Sequence, residues 1–497
     1  MTGYRGFEKF LIGSQWVEPH GSDCHSIINP ANQDKIGTVR LADAADIDRA
    51  VTAAHGAAES RIWADTSIEQ RADHMRAARD YCAGQIDRLV ELSANELGLP
   101  VAQNRPRHLA TLSYFDDAIE RARMFDTPEL RPDPLTGKTA LVRREPVGVV
   151  VAIIPFNGPF AMGVNKTARA LMAGCPVILK PSPEGSLHAE VLAEAYAAAG
   201  FPKGVVSVLP GGADAGNQLV SHPDVDMVTF TGSTNAGRAI ARSCAEHFTR
   251  SSLELGGKSA AIICDDADLD AVMAVLPIAA FGNSGQVCLT LSRSYVHRSL
   301  FGAVLERLTN AVSGFRIGDP SDESTTLGPV VSRTQLARID AMVRTAISNG
   351  AKAVTGGSVI DRPGNFFAPT ILTGMPNDAA IVQEEIFGPV HVVLPFDDDE
   401  EAILLANQTS FGLHGAVFTR DLARGFRMAR RMRTGTLAVN GYGITATGPF
   451  GGVKWSGWGR ENGPEGTEHF YELKSISLDS AAADWYREHM GPKSAPS

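Results

Sequence analysis

Short apolar runs alternate with longer segments of helical periodicity through most of the chain. Residues 46–58 place Ile47, Val51 and Ala54 at helical spacing, and residues 69–97 have the pattern of one or two amphipathic helices. Further along, the predicted strands are 147–154, 177–179, 205–209, 228–231 and 260–264, and the predicted helices between them are 162–173, 185–199, 213–221 and 235–246. Strands that alternate with helices in this way predict a mostly parallel sheet with helices on both faces.

A second alternation of the same kind follows in the C-terminal half. Its predicted helices and strands are 267–281, 299–314, 332–349, 390–394, 400–407, 414–418 and 421–433. Two such sets predict two α/β domains, with the break near the pair Gly256 and Gly257. The proline-rich segment 128–138 predicts an exposed turn in a hairpin or arm, and we expect the tail after Ser480 to be loose in part.

Composition narrows the class of protein. The chain has 497 residues, more than one ordinary core supports, and its 44% hydrophobic and 21% charged residues exclude a disordered or collagenous chain. The 46 basic and 56 acidic residues give a net charge of −10. Because no long basic run stands out, we expect no nucleic-acid partner and no anionic membrane surface as a partner.

Cysteine usage and the uncharged stretches add to this picture. The six cysteines lie far apart without a CxxC pair, which predicts reduced thiols in the cytoplasm rather than disulfides or a metal site. Residues 1–10 lack the apolar core of a secretory signal, so we expect no such leader. The stretches 146–165 and 271–292 carry no charge, but proline, glycine and asparagine lie in the middle of each. We interpret both as buried polypeptide and not as membrane spans.

Three side chains that suit catalysis or ligand binding lie in or near these stretches. Cys288 follows a glycine and a glutamine, which pack poorly in a core and suit a tight loop. Asn157 follows the first apolar strand, where ligands bind in parallel sheets, and Glu254 precedes the pair Gly256 and Gly257. Taken singly, Cys288 reads as a small apolar residue, Asn157 as a turn former and Glu254 as a capping carboxylate.

Other predicted strands also end in residues that suit ligand binding. Residues 230–233 (FTGS) end a strand and open a helix, whose N-terminus suits either a phosphate or an ordinary serine cap. Residues 180–182 (KPS) end another strand, and residues 384–389 (EEIFGP) place two acids beside an aromatic residue and a turn.

The segments described above follow one another in the order typical of the aldehyde dehydrogenase superfamily. Together with 450–454 (FGGVK) and 457–461 (GWGRE), they give the chain a resemblance to that superfamily over nearly its whole length. The resemblance implies an α/β fold with two doubly wound α/β domains, one for the cofactor and one for catalysis, plus a small β oligomerisation arm. The implied boundaries are 1–124 and 147–255 for the cofactor-binding domain, 256–445 for the catalytic domain, 125–146 and 470–497 for the oligomerisation arm and C-terminal tail, and 446–469 for the substrate-entrance loop and the return to the cofactor domain.

The resemblance also implies a mechanism. Cys288 matches the family's nucleophile, whose thiolate attacks an aldehyde, and Asn157 matches the amide that holds the oxyanion together with the backbone N–H of the cysteine. Hydride then leaves for a nicotinamide, and Glu254 matches the base that activates water to hydrolyse the thioester. Lys166 and Glu461 match residues that move protons near this base, although they equally suit a structural ion pair.

For the cofactor, the resemblance implies NAD, with NADP as the alternative. The matching positions are Ile154, Phe156, Lys180, Ser182, Gly212, Gly216, Phe230, Gly232, Ser233, Leu255, Gly256, Glu385 and Phe387. Lys180 matches the contact to the adenosine ribose, and Glu385 matches the contact to the nicotinamide ribose. Many NAD-preferring relatives carry a glutamate three residues after this lysine, where this chain has Pro183 and then Glu184.

The substrate is expected to be a small-molecule aldehyde. Gly158 and Asn165 stand where relatives often have bulky residues, which predicts a wider or more polar tunnel, and Arg169 is a candidate for binding a substrate carboxylate. The segment 435–453 matches the loop that lines the entrance. Members of the family are usually dimers or tetramers, so we expect a homodimer or homotetramer joined through 125–146 and the C-terminal region.

Three alternatives remain from the sequence. In a CoA-acylating dehydrogenase a thiol rather than water releases the acyl group, and Glu254 argues against this route because it needs no hydrolytic base. A non-catalytic member of the fold would have little reason to carry Cys288, Asn157 and Glu254 together. A cysteine hydrolase without redox chemistry lacks a recognisable Cys–His arrangement, since the nearest histidine in sequence is His297.

Overall fold

The computed structural model describes residues 6–490. Its strands are β1 (Phe10–Ile12), β2 (Gln15–Val17), β3 (Cys24–Ile28), β4 (Lys35–Arg40), β5 (Glu129–Pro132), β6 (Thr139–Pro146), β7 (Val150–Ile154), β8 (Val177–Pro181), β9 (Val206–Val208), β10 (Met227–Thr231), β11 (Arg250–Glu254), β12 (Ser259–Ile263), β13 (Leu291–His297), β14 (Lys352–Thr355), β15 (Thr370–Thr373), β16 (Val390–Phe396), β17 (Gly415–Phe418), β18 (Ala438–Val439), β19 (Gly457–Trp458) and β20 (Tyr471–Leu478). Its α-helices are α1 (Ala44–Glu59), α2 (Ile68–Ala83), α3 (Ile86–Leu97), α4 (Val101–Thr111), α5 (Ser113–Phe125), α6 (Pro159–Ala173), α7 (Ser186–Ala199), α8 (Ala213–Val220), α9 (Thr234–Glu246), α10 (Leu269–Phe281), α11 (Phe301–Ser313), α12 (Arg333–Ser348), α13 (Ala380–Gln383), α14 (Asp399–Asn407), α15 (Leu422–Ala429), α16 (Glu465–Glu468) and α17 (Ser480–His489).

The first large sheet has the order β19-β11-β10-β7-β8-β9-β1-β2. Strands β11, β10, β7, β8 and β9 are parallel, so their carboxyl ends lie along one edge. Successive residues of β7 point to opposite faces: Ala152 and Ile154 pack into one apolar cluster, and Val151 and Ile153 pack into the other. Because both faces are covered by helices, the strand is apolar throughout, and the predicted parallel sheet is confirmed.

The second large sheet has the order β14-β15-β16-β13-β12-β17-β18. Its strands are parallel except for β14, which runs antiparallel to β15. Strand β12 has the same two-sided burial, with Ala260 and Ile262 in one cluster and Ala261 and Ile263 in another. The chain passes from the first sheet to the second between Glu254 and Ser259, around the glycine pair where the break was predicted.

A third sheet joins the predicted hairpin to the C-terminal region. Strands β5 and β6 form an antiparallel hairpin, and β6 pairs along its full length with β20. The turn between β5 and β6 is exposed, with Leu135 at 93% exposure, as its prolines predict. The tail that was expected to be loose contains α17 up to His489, while its residues 491–497 lie outside the described part.

Within residues 6–490, none of the helices combines the length and the apolarity needed to cross a membrane. The uncharged stretch 146–165 contains β7 and the N-terminal part of α6. The stretch 271–292 contains most of α10 and the loop after it. Both stretches are largely buried in the protein interior.

Candidate active site

A cavity of about 200 Å³ lies where the two large sheets approach each other. Strands of the first sheet reach it with their carboxyl ends, and strands of the second sheet begin beside it. Its lining residues are Pro155, Phe156, Asn157, Thr231, Gly232, Ser233, Leu255, Gly256, Cys288, Gln335, Arg338, Glu385 and Phe387. The structure therefore brings Cys288, Asn157 and the loop of Glu385 and Phe387, which lie in separate segments of the sequence, into one cavity.

The loop that carries Cys288 has an unusual backbone. After α10 ends at Phe281, Asn283, Ser284 and Gly285 follow one another with φ angles of 52°, 53° and 71°. This left-handed region is costly for residues with a Cβ atom. A Cβ atom on Gly285 would lie 2.0 Å from the main-chain oxygen of Gly388, so only glycine fits there. The strained turn fixes the direction of the chain just before the cysteine.

Asn157 is held against this loop. Its side-chain Nδ2 donates to the main-chain oxygen of Gln286 at 2.9 Å, two residues before Cys288. The backbone N–H of Val331 donates in turn to Oε1 of Gln286 at 3.0 Å, and Gln286 is buried. The amide of Asn157 therefore lines the cavity beside the cysteine, at a place where it can donate to an oxygen bound there.

Cys288 is half-buried, and burial is the main reason why the pKa of its thiol is raised to about 12. The carboxylates of Glu385, Glu254 and Glu461 raise this pKa further, whereas the backbone N–H of Leu289 lowers it. The thiol of the free protein is therefore protonated at neutral pH, and its reactivity depends on deprotonation.

Alkylation of Cys288 by iodoacetamide in the cofactor-free protein is expected to accelerate steadily from pH 7 to pH 10. Since the thiolate is the reactive form and the pKa lies above this interval, the rate constant rises by about tenfold per pH unit. Peptide mapping of the modified cysteine measures this rate, and exposed Cys24 serves as the internal comparison. A rate for Cys288 that levels off near pH 7 would contradict the raised pKa.

Glu254 ends β11 and is buried behind the cavity. Neither carboxyl oxygen has a hydrogen-bond partner in the described part of the chain. Burial raises the pKa of this carboxyl well above its ordinary value, the charge of Glu461 adds to the increase, and Lys166 opposes it. Space for the side chain comes from Gly451, because a Cβ atom there would lie 2.6 Å from Oε1 of Glu254. A carboxylate with raised basicity suits the role of a general base at neutral pH.

Lys166 and Glu461 form an ion pair beside Glu254. Nζ of Lys166 also donates to Oγ1 of Thr229 at 3.0 Å, and Nδ2 of Asn165 donates to Oε2 of Glu461 at 3.2 Å. The side chain of Asn165 thus hydrogen-bonds to this ion pair and does not line an open tunnel. A direct role of Lys166 and Glu461 in moving protons stays a prediction.

Arg169 does not face a substrate. Its guanidinium is buried and donates to the carboxylate of Asp117, to Oγ1 of Thr467 and to Oδ1 of Asn165. The expectation that Arg169 binds a substrate carboxylate is therefore wrong, because these partners already occupy its donors. Asp117 and Thr467 were not predictable as partners, since both lie far from Arg169 along the chain.

At Gly257 the backbone that leads into the second sheet passes close to Cys288. A Cβ atom on Gly257 would lie 2.3 Å from the main-chain oxygen of Cys288, and backbone cannot move aside as a side chain can. We expect Gly257→Ala to displace the cysteine loop and to lower kcat/KM by about 10²-fold or more. Gly302→Ala is the matched control, because nothing lies within 4 Å of that position, and circular dichroism checks the fold. Full activity of Gly257→Ala would show that the loop tolerates the shift.

The rest of the cavity has groups that suit the sugar, the ring and the phosphates of a nucleotide. Glu385 Oε1 accepts a hydrogen bond of 2.9 Å from the backbone N–H of Gly257, and burial raises the pKa of Glu385. The rings of Phe156 and Phe387 meet edge to face at 6.0 Å. Ser233 caps the N-terminus of α9, which faces the cavity with the partial positive charge that binds phosphate groups.

Buried polar atoms without hydrogen-bond partners support the binding of a nucleotide at this edge of the sheet. The hydroxyls of Ser182 and Thr231 are buried, and neither has a hydrogen-bond partner within residues 6–490. Thr231 ends β10 and Ser182 follows β8, the two parallel strands that flank β7, at the edge where ligands bind in such sheets. A bound polar ligand would supply the partners that these hydroxyls lack.

The predicted adenosine side lies beyond this cavity. Nζ of Lys180 donates to the main-chain oxygens of Gly211 and Pro181 at 2.7 Å and 3.2 Å, and burial lowers the pKa of Lys180 to about 8. Gly216 lies against the same side chain, and Gly212 faces open space. Of the predicted cofactor residues, those that do not line the cavity are Ile154, Lys180, Ser182, Gly212, Gly216 and Phe230.

Two cavity residues were missed in the sequence. Gln335 and Arg338 lie on α12, and both donate from their side chains to the loop of Glu385. Nε2 of Gln335 reaches the main-chain oxygen of Phe387 at 2.7 Å, and Nη2 of Arg338 reaches that of Glu385 at 2.6 Å. Their spacing of three residues on an amphipathic helix carries no signal that separates them from ordinary surface residues.

Comparison with known proteins identifies the family of the chain. The sequence profile of the aldehyde dehydrogenase family matches residues 16–476, and the chain belongs to that family. It is 39% identical to a geranial dehydrogenase of Castellaniella defragrans over 472 residues, covering 95% of this chain and 98% of the relative. It is 36% identical to the succinate-semialdehyde dehydrogenase [NADP(+)] of Escherichia coli K12 over 473 residues, covering 95% and 98%. A crystal structure of a Mycobacterium tuberculosis aldehyde dehydrogenase complexed with NAD+ superposes with a TM-score of 0.92 at 40% identity, covering 95% and 98%.

Proposed function

We propose that this chain oxidises an aldehyde to a carboxylic acid through a covalent thioester on Cys288. The observation that carries the proposal is the cavity in which Cys288 lies beside the amide of Asn157, with basic Glu254 buried close behind. Family membership makes the protein an aldehyde dehydrogenase, and these three residues supply the proposed steps.

The first step begins when the Cys288 thiol loses its proton to water, and the thiolate then attacks the aldehyde carbonyl. The carbonyl oxygen becomes an oxyanion, and the donors for it are Nδ2 of Asn157 and the backbone N–H of Cys288. Each donor aimed at such developing charge contributes about 3 kcal/mol to the transition state. A bound nicotinamide cofactor would supply the acceptor for the hydride that leaves the carbon of this adduct. The oxyanion then becomes the carbonyl of a thioester, which keeps the acyl group on Cys288.

Hydrolysis completes the cycle. Glu254 removes a proton from a water molecule as the oxygen of that water attacks the thioester carbonyl. The C–S bond breaks, the carboxylic acid leaves, and Cys288 is regenerated as the thiolate. Lys166 and Glu461 lie within electrostatic reach of Glu254, and we propose that the proton leaves Glu254 through this pair.

NAD is the proposed cofactor, with NADP as the alternative. Gly232 and Ser233 at the start of α9 would hold the pyrophosphate, Glu385 the nicotinamide ribose and Lys180 the adenosine ribose. Glu184 acts electrostatically on Lys180, so a negative charge remains near the predicted adenosine ribose although Pro183 displaces it by one residue. A carboxylate there disfavours a 2′-phosphate and therefore favours NAD. The relative from Mycobacterium tuberculosis holds NAD+, and the one from Escherichia coli is named for NADP+.

The test is the formation of reduced nicotinamide from aliphatic, aromatic and terpenoid aldehydes. NAD and NADP are compared in parallel, with and without CoA. We expect turnover without CoA and a higher kcat/KM with NAD. Turnover that requires CoA would replace water by a thiol as the acyl acceptor and would overturn the hydrolytic step. A preference for NADP would overturn the role of Glu184.

We propose a homodimer or homotetramer in the cytoplasm. The three-stranded sheet of β5, β6 and β20 leaves Leu473 and Ile476 exposed at 61% and 38%, which suits contact with a second copy of the chain. The six cysteines form no disulfide, which suits a reducing compartment. Light scattering of the purified protein measures the oligomeric state.

A further inference from the structure

Arg107 is an arginine without a partner close to the catalytic centre. It lies on α4, where Asn104, His108 and Thr111 form the buried face. Oγ1 of Thr111 donates to the main-chain oxygen of Arg107 at 2.9 Å, which fixes the backbone. Within residues 6–490 its guanidinium makes neither a hydrogen bond nor an ion pair, whereas the exposed Arg105 on the same helix pairs with Asp87.

The guanidinium lies over Gly158. A Cβ atom on Gly158 would lie 2.9 Å from Nη2 of Arg107 and 3.4 Å from Cε of Met162. A side chain at position 158 would therefore require the guanidinium of Arg107 to move from this place. The missing side chain at Gly158, which predicted a wider or more polar tunnel, makes room for a positive charge next to Asn157.

The surroundings of Arg107 lack a counter-charge. The titratable groups within electrostatic reach of it are the hydroxyls of Tyr114 and Tyr442 and the thiol of Cys288, and burial raises the pKa of all three, so that they are uncharged at neutral pH. Tyr442 belongs to the segment 435–453, which the family resemblance assigns to the substrate entrance. Arg107 does not line the cavity that fits the nucleotide. Its charge therefore acts at the cysteine from the side of Gly158 and Tyr442.

A half-buried guanidinium without a partner is an unfavourable state. Arginine keeps its charge in proteins, so Arg107 cannot escape the cost of burial by losing a proton. An anion that arrives with the substrate would relieve this cost, and the planar fork of a guanidinium matches a carboxylate with two parallel hydrogen bonds.

We propose that Arg107 binds a carboxylate on the substrate, which makes aldehydes with a remote carboxylate the preferred class. The inference rests on the proposed aldehyde oxidation and assigns its substrate. Arg107 acts as a specificity residue: it holds the far end of the substrate while the aldehyde carbon meets Cys288. A neutral analogue leaves the guanidinium unpaired, and a cationic aldehyde is repelled.

The experiment compares ω-oxocarboxylates of increasing chain length with their methyl esters. At the chain length that spans from Cys288 to Arg107, we expect the wild-type protein to favour the acid by about 10²-fold in kcat/KM. Arg107→Met removes this preference, mainly through a higher KM for the acid, and Arg107→Lys retains part of it because it keeps the charge. Arg105→Met removes a charge from the exposed side of the same helix and keeps the preference.

The possible outcomes separate the inference from the function on which it rests. An acid-to-ester ratio near one in the wild type, or an unchanged ratio in Arg107→Met, would overturn the role of Arg107. An equal loss of kcat for acid and ester, with a shifted pH profile, would also overturn it, because the guanidinium would then act on the thiol of Cys288. No turnover of any aldehyde would overturn the proposed oxidation alone. Calorimetric binding of dicarboxylates to Cys288→Ala, with and without Arg107→Met, tests the anion site without turnover, and equal binding would refute it.

Discussion

Cys288→Ala is expected to lower kcat/KM for aldehyde oxidation by about 10⁴-fold or more. Without the thiol no covalent adduct forms, so neither hydride release nor hydrolysis has a starting point, and groups that act as a unit lose nearly all activity together. The cavity keeps its other walls, because the loop is shaped by Asn283, Ser284 and Gly285 and not by the thiol. The measurement is reduced-nicotinamide absorbance under saturating aldehyde.

The control separates chemistry from binding. Quenching of protein fluorescence by added cofactor should remain within about twofold of wild type in Cys288→Ala, since Gly232, Ser233 and Glu385 are untouched. Cys24→Ala removes an exposed thiol and should keep full turnover. Steady turnover by Cys288→Ala would remove this residue from the mechanism.

Glu254→Gln is expected to give one rapid release of hydride per active site and then to stall. The amide keeps the shape of the carboxyl but has no basicity, so water is not activated and the thioester persists. The steady-state rate should fall by about 10²- to 10⁴-fold, while the first turnover remains visible as a burst. Stopped-flow absorbance of the reduced cofactor resolves the two phases.

The comparison protein is Glu246→Gln, which changes an exposed glutamate at the end of α9. It should show no burst and a normal steady state. If Glu254→Gln turns over at the wild-type rate, hydrolysis uses another base. If the burst itself is lost, Glu254 acts before the thioester forms, and the proposed division of roles fails.

The buried parallel strands were predictable because their apolar character is local. Strands β7, β10 and β12 are largely apolar, and the structure places the ends of all three within three residues of the predicted ends. Strands β11 and β13 were missed, since RSSLE and LSRSYVH contain polar residues that only distant partners satisfy. Arg293 in β13, for example, donates to the main-chain oxygens of Lys258 and Ala406.

The residues of the candidate site likewise fall into those that the local sequence predicts and those that only the fold reveals. Asn157, Gly232 and Cys288 sit in turns with recognisable local sequence, and the structure brings them to one cavity. Arg107 and Gln335 lie on helices, where an exposed and a functional polar residue look alike in sequence. What distinguishes them is contact with loops more than 50 residues away, which requires the fold.

The most direct test of the account is the mass of Cys288 in the Glu254→Gln protein after reaction with aldehyde and NAD. Rapid acid quenching, proteolysis and mass spectrometry report the group on the peptide that contains this cysteine. We expect an acyl group on this peptide, seen as a mass increase equal to the aldehyde less two hydrogen atoms, only when the cofactor is present. An unmodified Cys288 peptide in a sample that has released one equivalent of reduced cofactor would contradict the covalent thioester.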